Sequence, residues 1–270
     1  MKRRISCLMV TLGTAERLEL IKRSIHGYLT QTYPDRELVL VPDLPPESDL
    51  DALRSYLDSL ARPDIRCVVP PRKMSLGALR NLSVESAQGS LVCQWDDDDV
   101  FHSRRLEAQA QALQSNDAAA VYMGEILHFF SPTREMFWTD WSRTILRCHP
   151  ATLLAEKDKM ATYPESGDES ARGEDTFVLR KIRSVHPTHY LSGPASLYVY
   201  VFHSGNTMAY KHHRFLATRL AVSLARFRAE FAALAKDLAS LDLGSQPITV
   251  RASEQIAGIW SPQTQTMDFL

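Results

Sequence analysis

Four consecutive aspartates, Asp96 to Asp99, follow an apolar run, Leu91-Val92-Cys93-Gln94-Trp95. Strand side chains repeat in direction every second residue, so Asp96 and Asp98 share one direction and Asp97 and Asp99 the other. An all-oxygen site of this kind suits a hard divalent cation, Mg2+ or Mn2+, that keeps positions open for substrate phosphates. Four like charges beside a buried strand raise one another's pKa, which sets the tract apart from a solvated acidic turn. A Ca2+-binding EF-hand loop is disfavoured, because Val100 and Phe101 stand where a third oxygen ligand and the turn glycine belong. Neither Gly-x-Gly-x-x-Gly nor Gly-x-x-x-x-Gly-Lys-Ser/Thr occurs, so the charge of a bound nucleotide must be met by a cation and by basic side chains. Arg80 is the candidate guanidinium for phosphate, with solvation at the surface as the alternative. A second acidic pair, Glu174-Asp175, opens a helical pattern, where the dipole favours ionised carboxylates and where simple capping is the alternative role.

The elements that must position these groups follow from periodicity. Ile5 to Thr11 reads as a buried strand, and Leu18, Ile21, Ile25 and Leu29 recur at helical spacing. Glu37 to Val41 is a second strand, ended by Pro42 and by Pro45-Pro46, and Asp49 to Leu60 a second helix. A third strand over Ile65 to Val69, a third helix over Leu76 to Gln88 and a fourth strand over Leu91 to Trp95 complete an alternation that marks βαβ units around a mainly parallel sheet. The aspartates therefore stand at the C-terminal end of the fourth strand, the edge where open α/β sheets bind ligands. The second half is less regular. It reads as a hairpin of 118–123 and 125–130 across Gly124, a strand over 144–148, a helix over 174–183, a last strand over 197–202, one long helical pattern from Tyr210 to Leu241, and a Gly/Ser/Pro/Gln-containing tail.

Composition bounds the function classes. The chain has 270 residues, with 31 Lys and Arg against 32 Asp and Glu, which gives a net charge of -1 and excludes the broad basic field of sequence-independent nucleic-acid binding. Cys7, Cys67, Cys93 and Cys148 form no Cys-x-x-Cys pair and read as reduced thiols. The apolar stretch after Lys2-Arg3-Arg4 ends within about seven residues, too short for a secretory signal, and no run approaches the roughly 18 apolar residues of a membrane span. A cytoplasmic protein is expected.

Several segments resemble family 2 glycosyltransferases of the GT-A fold. Gln94-Trp95-Asp96-Asp97-Asp98-Asp99, with Arg105-Leu106-Glu107-Ala108-Gln109 after it, is similar to that family's metal-binding segment. Ser75-Leu76-Gly77-Ala78-Leu79-Arg80-Asn81 resembles its Gly-containing segment ending in Arg-Asn, Leu29-Thr30-Gln31-Thr32-Tyr33-Pro34 its Gln-Thr-Tyr-Pro turn, and Arg172-Gly173-Glu174-Asp175-Thr176 its Glu-Asp motif. The resemblance covers roughly residues 5 to 215. It implies transfer of a sugar from a nucleotide diphosphate donor to an acceptor hydroxyl with inversion, on a Rossmann-like, mainly parallel sheet flanked by helices. Asp98 is then the first choice for direct metal coordination, and Asp96 touches the donor or reaches the metal through water. Asp175 is the expected general base. Thr11, Asp43, Arg80, Asp96 and Asp97 are expected to contact the nucleotide sugar. His203, in Phe202-His203-Ser204-Gly205-Asn206, resembles a family segment in which His approaches the metal or diphosphate. Val41-Pro42-Asp43-Leu44 departs from the family's usual acidic and small-residue run.

The expected organisation is a catalytic domain over 1–212 and a C-terminal helix and tail over 213–270. The expected partners are the donor, a divalent cation (Mn2+ or Mg2+) and a saccharide or lipid-linked acceptor. The basic amphipathic C-terminal pattern also allows peripheral contact with an anionic membrane, although packing on the catalytic domain is the preferred reading. Two rival functions are a nucleotidyltransferase, which would release pyrophosphate from a nucleoside triphosphate, and a non-catalytic nucleotide-sugar-binding module.

Overall fold

The structure, a computed structural model, describes residues 3–44 and 50–270. Pro45 and Pro46, expected to end the second strand, and Asp49, expected to start the second helix, lie outside the described residues. In chain order the elements are β1 (Ile5–Thr11), α1 (Leu18–Leu29), β2 (Arg36–Pro42), α2 (Asp51–Leu60), β3 (Ile65–Cys67), α3 (Leu76–Ser86), β4 (Leu91–Gln94), β5 (Val100–Phe101), α4 (Arg105–Ser115), β6 (Ala120–Met123), β7 (Glu125–Phe130), β8 (Glu135–Asp140), β9 (His149–Glu156), α5 (Glu174–Val185), β10 (Thr188–Leu191), β11 (Tyr198–Phe202), α6 (Tyr210–Leu220), α7 (Leu224–Leu238), β12 (Ile248–Ala252), β13 (Gln255–Ser261) and β14 (Thr266–Phe269).

They form two seven-stranded sheets, in the orders β10-β6-β9-β4-β1-β2-β3 and β14-β13-β12-β8-β7-β11-β5. The chain separates accordingly into two compact units. The first takes residues up to 98 together with Leu106–Tyr122 and Pro150–His189, and the second takes Asp99–Arg105, Met123–His149 and Tyr190–Leu270. The expected division at residue 212 follows chain order, whereas the two units follow the sheets.

In the first unit β1 lies between β2 and β4, parallel to both, with Cys7 opposite Leu38 on one side and Cys93 on the other. A strand paired on both edges and covered on both faces must be apolar along its length, and six of the seven β1 residues are buried. β3 pairs parallel with β2, and β9 pairs antiparallel with β4, so the sheet is mainly parallel, as expected. Leu8, Val39, Val41, Leu79 and Val92 pack between α3 and the sheet. Gly77 lets the loop at Pro164 lie against α3, since a Cβ there would stand 1.8 Å from the Pro164 carbonyl oxygen. The four cysteines are free thiols.

Four readings of the second half are corrected. β6 and β7 are not a hairpin, because they join different sheets. Thr144 to Cys148 is not a strand, since Arg147 has φ +64° and the strand begins at His149. The long helical pattern is two helices. Ala221 bridges to Thr139, the Val222 N–H donates to the Trp138 carbonyl, and Ser223 caps the start of α7 by accepting from the Arg226 N–H at 3.2 Å. The tail is not irregular, because β12 to β14 extend the second sheet, with Trp260, Ile248 and Val250 buried against Phe227 and Phe231 of α7. Among the described residues no helix is long and apolar enough to cross a membrane.

Candidate functional site

The aspartate tract follows the end of β4 and turns at Asp97 and Asp98, so that these neighbouring carboxylates both reach Arg17, while exposure alternates along the tract. Asp96 and Asp98 keep 21% and 16% of their side-chain surface exposed, while Asp97 keeps 5%. Asp99 is fully buried and holds the second unit together, accepting from the Tyr198 hydroxyl and, at 2.8 Å, from the Val201 N–H. The backbone of the tract is fixed from α1. Ser24 Oγ donates to the Asp96 carbonyl at 2.9 Å, Arg23 to the Asp98 carbonyl, and the Trp95 indole N–H to the Ser24 carbonyl at 3.2 Å.

Two guanidinium groups offset the carboxylates. Arg17, between β1 and α1, grips Asp97 with two bonds of 3.0 and 2.6 Å and reaches Asp98 Oδ2 at 2.9 Å. Burial alone would push the Arg17 pKa down, but Asp97 and Asp98 raise it, so it stays charged. Thr11 Oγ1 donates to the same Asp97 carboxylate. Thr11 and Asp97, both expected to contact the donor, are thus bonded to each other. Arg80, on α3, donates to Glu174 Oε1 at 2.9 Å and to Asp96 Oδ1 at 3.3 Å, and lies 5.9 Å over the Tyr163 ring. Gln94 Nε2 adds a 3.0 Å bond to Asp96 Oδ2. Burial pushes the Asp96 carboxyl above its usual range, with Asp98 and Glu174 adding to the rise and Arg80 and Gln94 opposing it.

Asp175 lies in the first turn of α5, beside Glu174. Gly173 precedes it with φ +81°, a left-handed conformation that favours glycine, and its carbonyl accepts the first helical bond from Phe177 at 2.9 Å. Burial raises the Asp175 pKa to about 6, the Glu174 charge adding to the rise, while Arg80 and the Thr176 N–H pull it down. A carboxylate poised near 6 can accept a proton at neutral pH. α3 is tied to the segment before this turn, because Asn81 accepts the Tyr163 N–H and donates to the Tyr163 carbonyl and to Glu165.

Asp43 stands beside Thr11, its N–H donating to the Thr11 carbonyl at 2.6 Å and its carboxylate pairing with Lys73 at 2.5 Å. The first unit therefore gathers Thr11, Asp43, Arg80, Asp96, Asp97, Asp98 and Asp175 on β1, β2, β4 and the adjoining α3 and α5. His203 belongs to the second unit, at the end of β11, where its Nδ1 accepts the Gly205 N–H at 3.0 Å and its own N–H donates to Asn206 Oδ1. Sequence reasoning missed Arg17 and treated Glu174 only as part of a motif. The available signal for Arg17 was a basic residue in the loop after β1, at the same strand edge as the aspartates.

Among the described residues no three His, Cys, Asp or Glu side chains are grouped as a cage for a metal ion. Mg2+ and similar cations are commonly held by one or two carboxylates together with substrate phosphates. The partly exposed pair Asp96 and Asp98 fits a cation of that kind, one that shares Asp98 with Arg17.

The model of the glycosyl transferase family 2 matches residues 7–169, more than half of the chain. Relatives include a putative teichuronic acid biosynthesis glycosyltransferase, TuaG, of Bacillus subtilis, 27% identical over 39% of this chain and 41% of its own length. A cholesterol galactosyltransferase of Borreliella burgdorferi is 25% identical over 48% of this chain and 35% of its own length. The chain thus spans well under two thirds of these relatives. Among solved structures, TarS 1-349 of S. aureus in complex with UDP-GlcNAc superposes with a TM-score of 0.56 at 16% identity, covering 89% of this chain and 68% of that one. The same protein in complex with UDP gives 0.57 at 14% identity, with 88% and 80% covered. At that identity the likeness is one of fold.

Proposed function

We propose that this chain, which belongs to glycosyl transferase family 2, transfers a sugar from a nucleotide diphosphate donor to an acceptor hydroxyl by a single displacement with inversion, in the synthesis of a cell-surface glycan. The observation that carries the reading is the alternation in the aspartate tract. Asp96 and Asp98 stay partly open at the C-terminal end of β4, and Arg80 links Asp96 to the turn that carries Glu174 and Asp175. The complexes of the structural relative with UDP and UDP-GlcNAc make a uridine diphosphate sugar the first donor to test. The name TuaG is the reason for placing the product among cell-surface glycans.

In this reading Thr11 and Asp43 border the nucleoside, and Arg80 orients the donor's charged groups through its fixed guanidinium. Asp98 is the first ligand for a divalent cation, with Asp96 beside it; when bound, the cation offsets negative charge on the departing diphosphate. Asp175 takes the proton of the acceptor hydroxyl. As it does so, the hydroxyl oxygen bonds to the anomeric carbon, and the bond from that carbon to the phosphate oxygen breaks, releasing the nucleoside diphosphate. A positioned base of this kind contributes about 10²–10⁴-fold.

Thermal unfolding with UDP and Mn2+ tests the donor site. The wild type should gain stability by mass action, and Asp98→Ala should lose that gain. Asp175→Asn should keep the thermal shift and lose sugar transfer by at least a hundredfold. A wild type that responds to no nucleotide and cation combination removes the donor reading, and full transfer by Asp175→Asn moves the base elsewhere.

A further inference from the structure

The second unit carries a surface that the aspartate site does not use. α6 runs Tyr-Lys-His-His-Arg-Phe-Leu-Ala-Thr-Arg-Leu, with three fixed cations and no acid. His213, Ala217 and Leu220 face inward, and Ala217 packs with Phe130, Phe137 and Phe202. The opposite stripe, Lys211, Phe215 and Arg219 at four-residue spacing, is exposed, and Phe215 keeps 63% of its surface. Arg214 forms the floor beside it, pairing with Glu135 at 2.7 Å and lying 4.8 Å over the Phe137 ring. Among the described residues Lys211 and Arg219 meet no carboxylate within salt-bridge distance. Glu254, in the turn between β12 and β13, lines with these groups and with Tyr210 and Thr218 a groove of about 370 Å³.

We propose that this groove binds an anionic saccharide chain, with Phe215 stacking against a sugar face while Lys211 and Arg219 pair with its carboxylate or phosphate groups. Three features favour that occupant. Two cations without carboxylate partners attract an anion. An exposed aromatic face, electron-rich at its centre, suits the C–H face of a pyranose ring and leaves hydroxyls to a polar neighbour such as Glu254. The site is concave and its volume falls in the range of small-molecule sites, about 300–1,000 Å³. A lipid bilayer fits worse, because membrane-surface helices present a broad apolar face, whereas here the exposed apolar surface of the groove is Phe215 and the half-open Tyr210, with the Glu254 carboxylate among its lining. None of these residues belongs to the aspartate site, so the failure of one assignment leaves the other standing.

The test is direct binding of the full chain to an oligogalacturonate, measured by calorimetry. A maltooligosaccharide of equal length serves as the neutral control, polyphosphate as the control for charge alone, and phosphatidylglycerol vesicles as the control for a membrane. The oligogalacturonate should bind at one site per chain and the maltooligosaccharide at least tenfold more weakly. K211E with R219E, both exposed and so compatible with folding, should reduce the affinity tenfold or more without lowering the thermal midpoint. F215A should weaken oligogalacturonate severalfold and leave polyphosphate unchanged, and UDP with Mn2+ should not displace the oligosaccharide. The proposal is overturned by no binding, by equal binding of the neutral chain, by binding that the charge reversals do not change, by equal F215A effects on both anions, or by preference for the vesicles.

Discussion

Around the aspartates of the first unit, buried polarity consists of ions held by ions, with Arg80 between Asp96 and Glu174 and Arg17 between Asp97 and Asp98. Around Tyr200 of the second unit it consists of neutral rings. His128 lies flat on Phe130 at 4.8 Å, His213 stacks on Tyr200 at 5.2 Å, and His149 stands 4.7 Å from Trp141. Neither nitrogen of His128 nor Nε2 of His213 meets a protein partner. Burial drives all three imidazoles down, His149 to about 3 and His213 to about 4, and the neighbouring histidines, His212 among them, deepen the effect. The same cause, loss of water, therefore acts with opposite sign in the two regions. A half-buried aspartate such as Asp175, its pKa raised by desolvation to about 6 from an ordinary 3.8, binds its proton earlier in the folded state than in the unfolded state. Its contribution to stability rises as pH falls from about 6 toward 4. A buried imidazole binds its proton later when folded, so its contribution is complete above pH 6.5 and falls as the solution is acidified. Acid should loosen the second unit before the first.

The largest effect is expected from breaking the ion cluster. Arg80→Met leaves Asp96 and Glu174 without their cation, and losing one partner of a buried pair costs about 3–5 kcal/mol. Urea unfolding should show that loss at pH 8 and a smaller one in acid, because burial holds the Asp96 carboxyl above its usual range and favours its protonation once the cation is gone. A cost that does not change with pH would mean the carboxylates do not depend on Arg80. Next in size is the imidazole cluster. Each imidazole kept neutral should lose about 1.6 kcal/mol between pH 6.5 and pH 5, the slope rising toward about 1.36 kcal/mol per pH unit as the unfolded imidazole protonates. Hydrogen exchange, corrected for intrinsic rates, should then show β7, β11 and α6 losing protection while β4 and the start of α5 keep theirs. His128→Phe retains the stack on Phe130 and should flatten the acid slope by about one proton. Uniform loss of protection across both units would refute the contrast.

What could be read from the sequence divides along similar physical lines. β1, β2 and β4 were legible because buried strands are short apolar runs, and α1 because Leu18, Ile21, Ile25 and Leu29 recur at helical spacing, of which Ile21 and Ile25 are fully buried. Asp96 and Asp98 are the more open members of the tract, but the chain turns at Asp97 and Asp98, and these neighbours share Arg17 instead of facing opposite ways as strand residues would. Sheet membership is not local. β6 and β7 are separated only by Gly124, yet they pair in different sheets, and no periodicity in either segment encodes that. β12 does alternate between buried and half-buried residues, but Gly244, Ser245, Gln246 and Pro247 before it read as tail composition. The break between α6 and α7 had a local sign in Ser223, a good helix cap inside an otherwise continuous pattern. Arg17 was hidden for a different reason, because its partners lie 80 and 81 residues away and meet it only once the loop after β1 folds over the strand ends.

The smallest effect isolates how the first unit holds its acidic turn. Gly173 has φ +81° and ψ 16°, and a Cβ built there meets nothing within 4 Å, so substitution tests conformation without a clash. Gly173→Ala should cost about 1 kcal/mol, the penalty of the left-handed region for a residue with a Cβ, and Gly173→Asn less, because asparagine enters that region more readily. Both costs should be read as midpoint shifts in urea. Retention of the Thr176 N–H bond to Asp175 Oδ1, seen as slow exchange of that amide, would show that the turn tolerates the strain in place. If the alanine variant is as stable as the wild type, the turn has relaxed to negative φ, and the Thr176 amide should then exchange freely. That outcome would make glycine at 173 a requirement for aiming Asp175 and not a requirement for folding, and the asparagine variant, which keeps the left-handed turn, should then retain the slow amide that alanine loses.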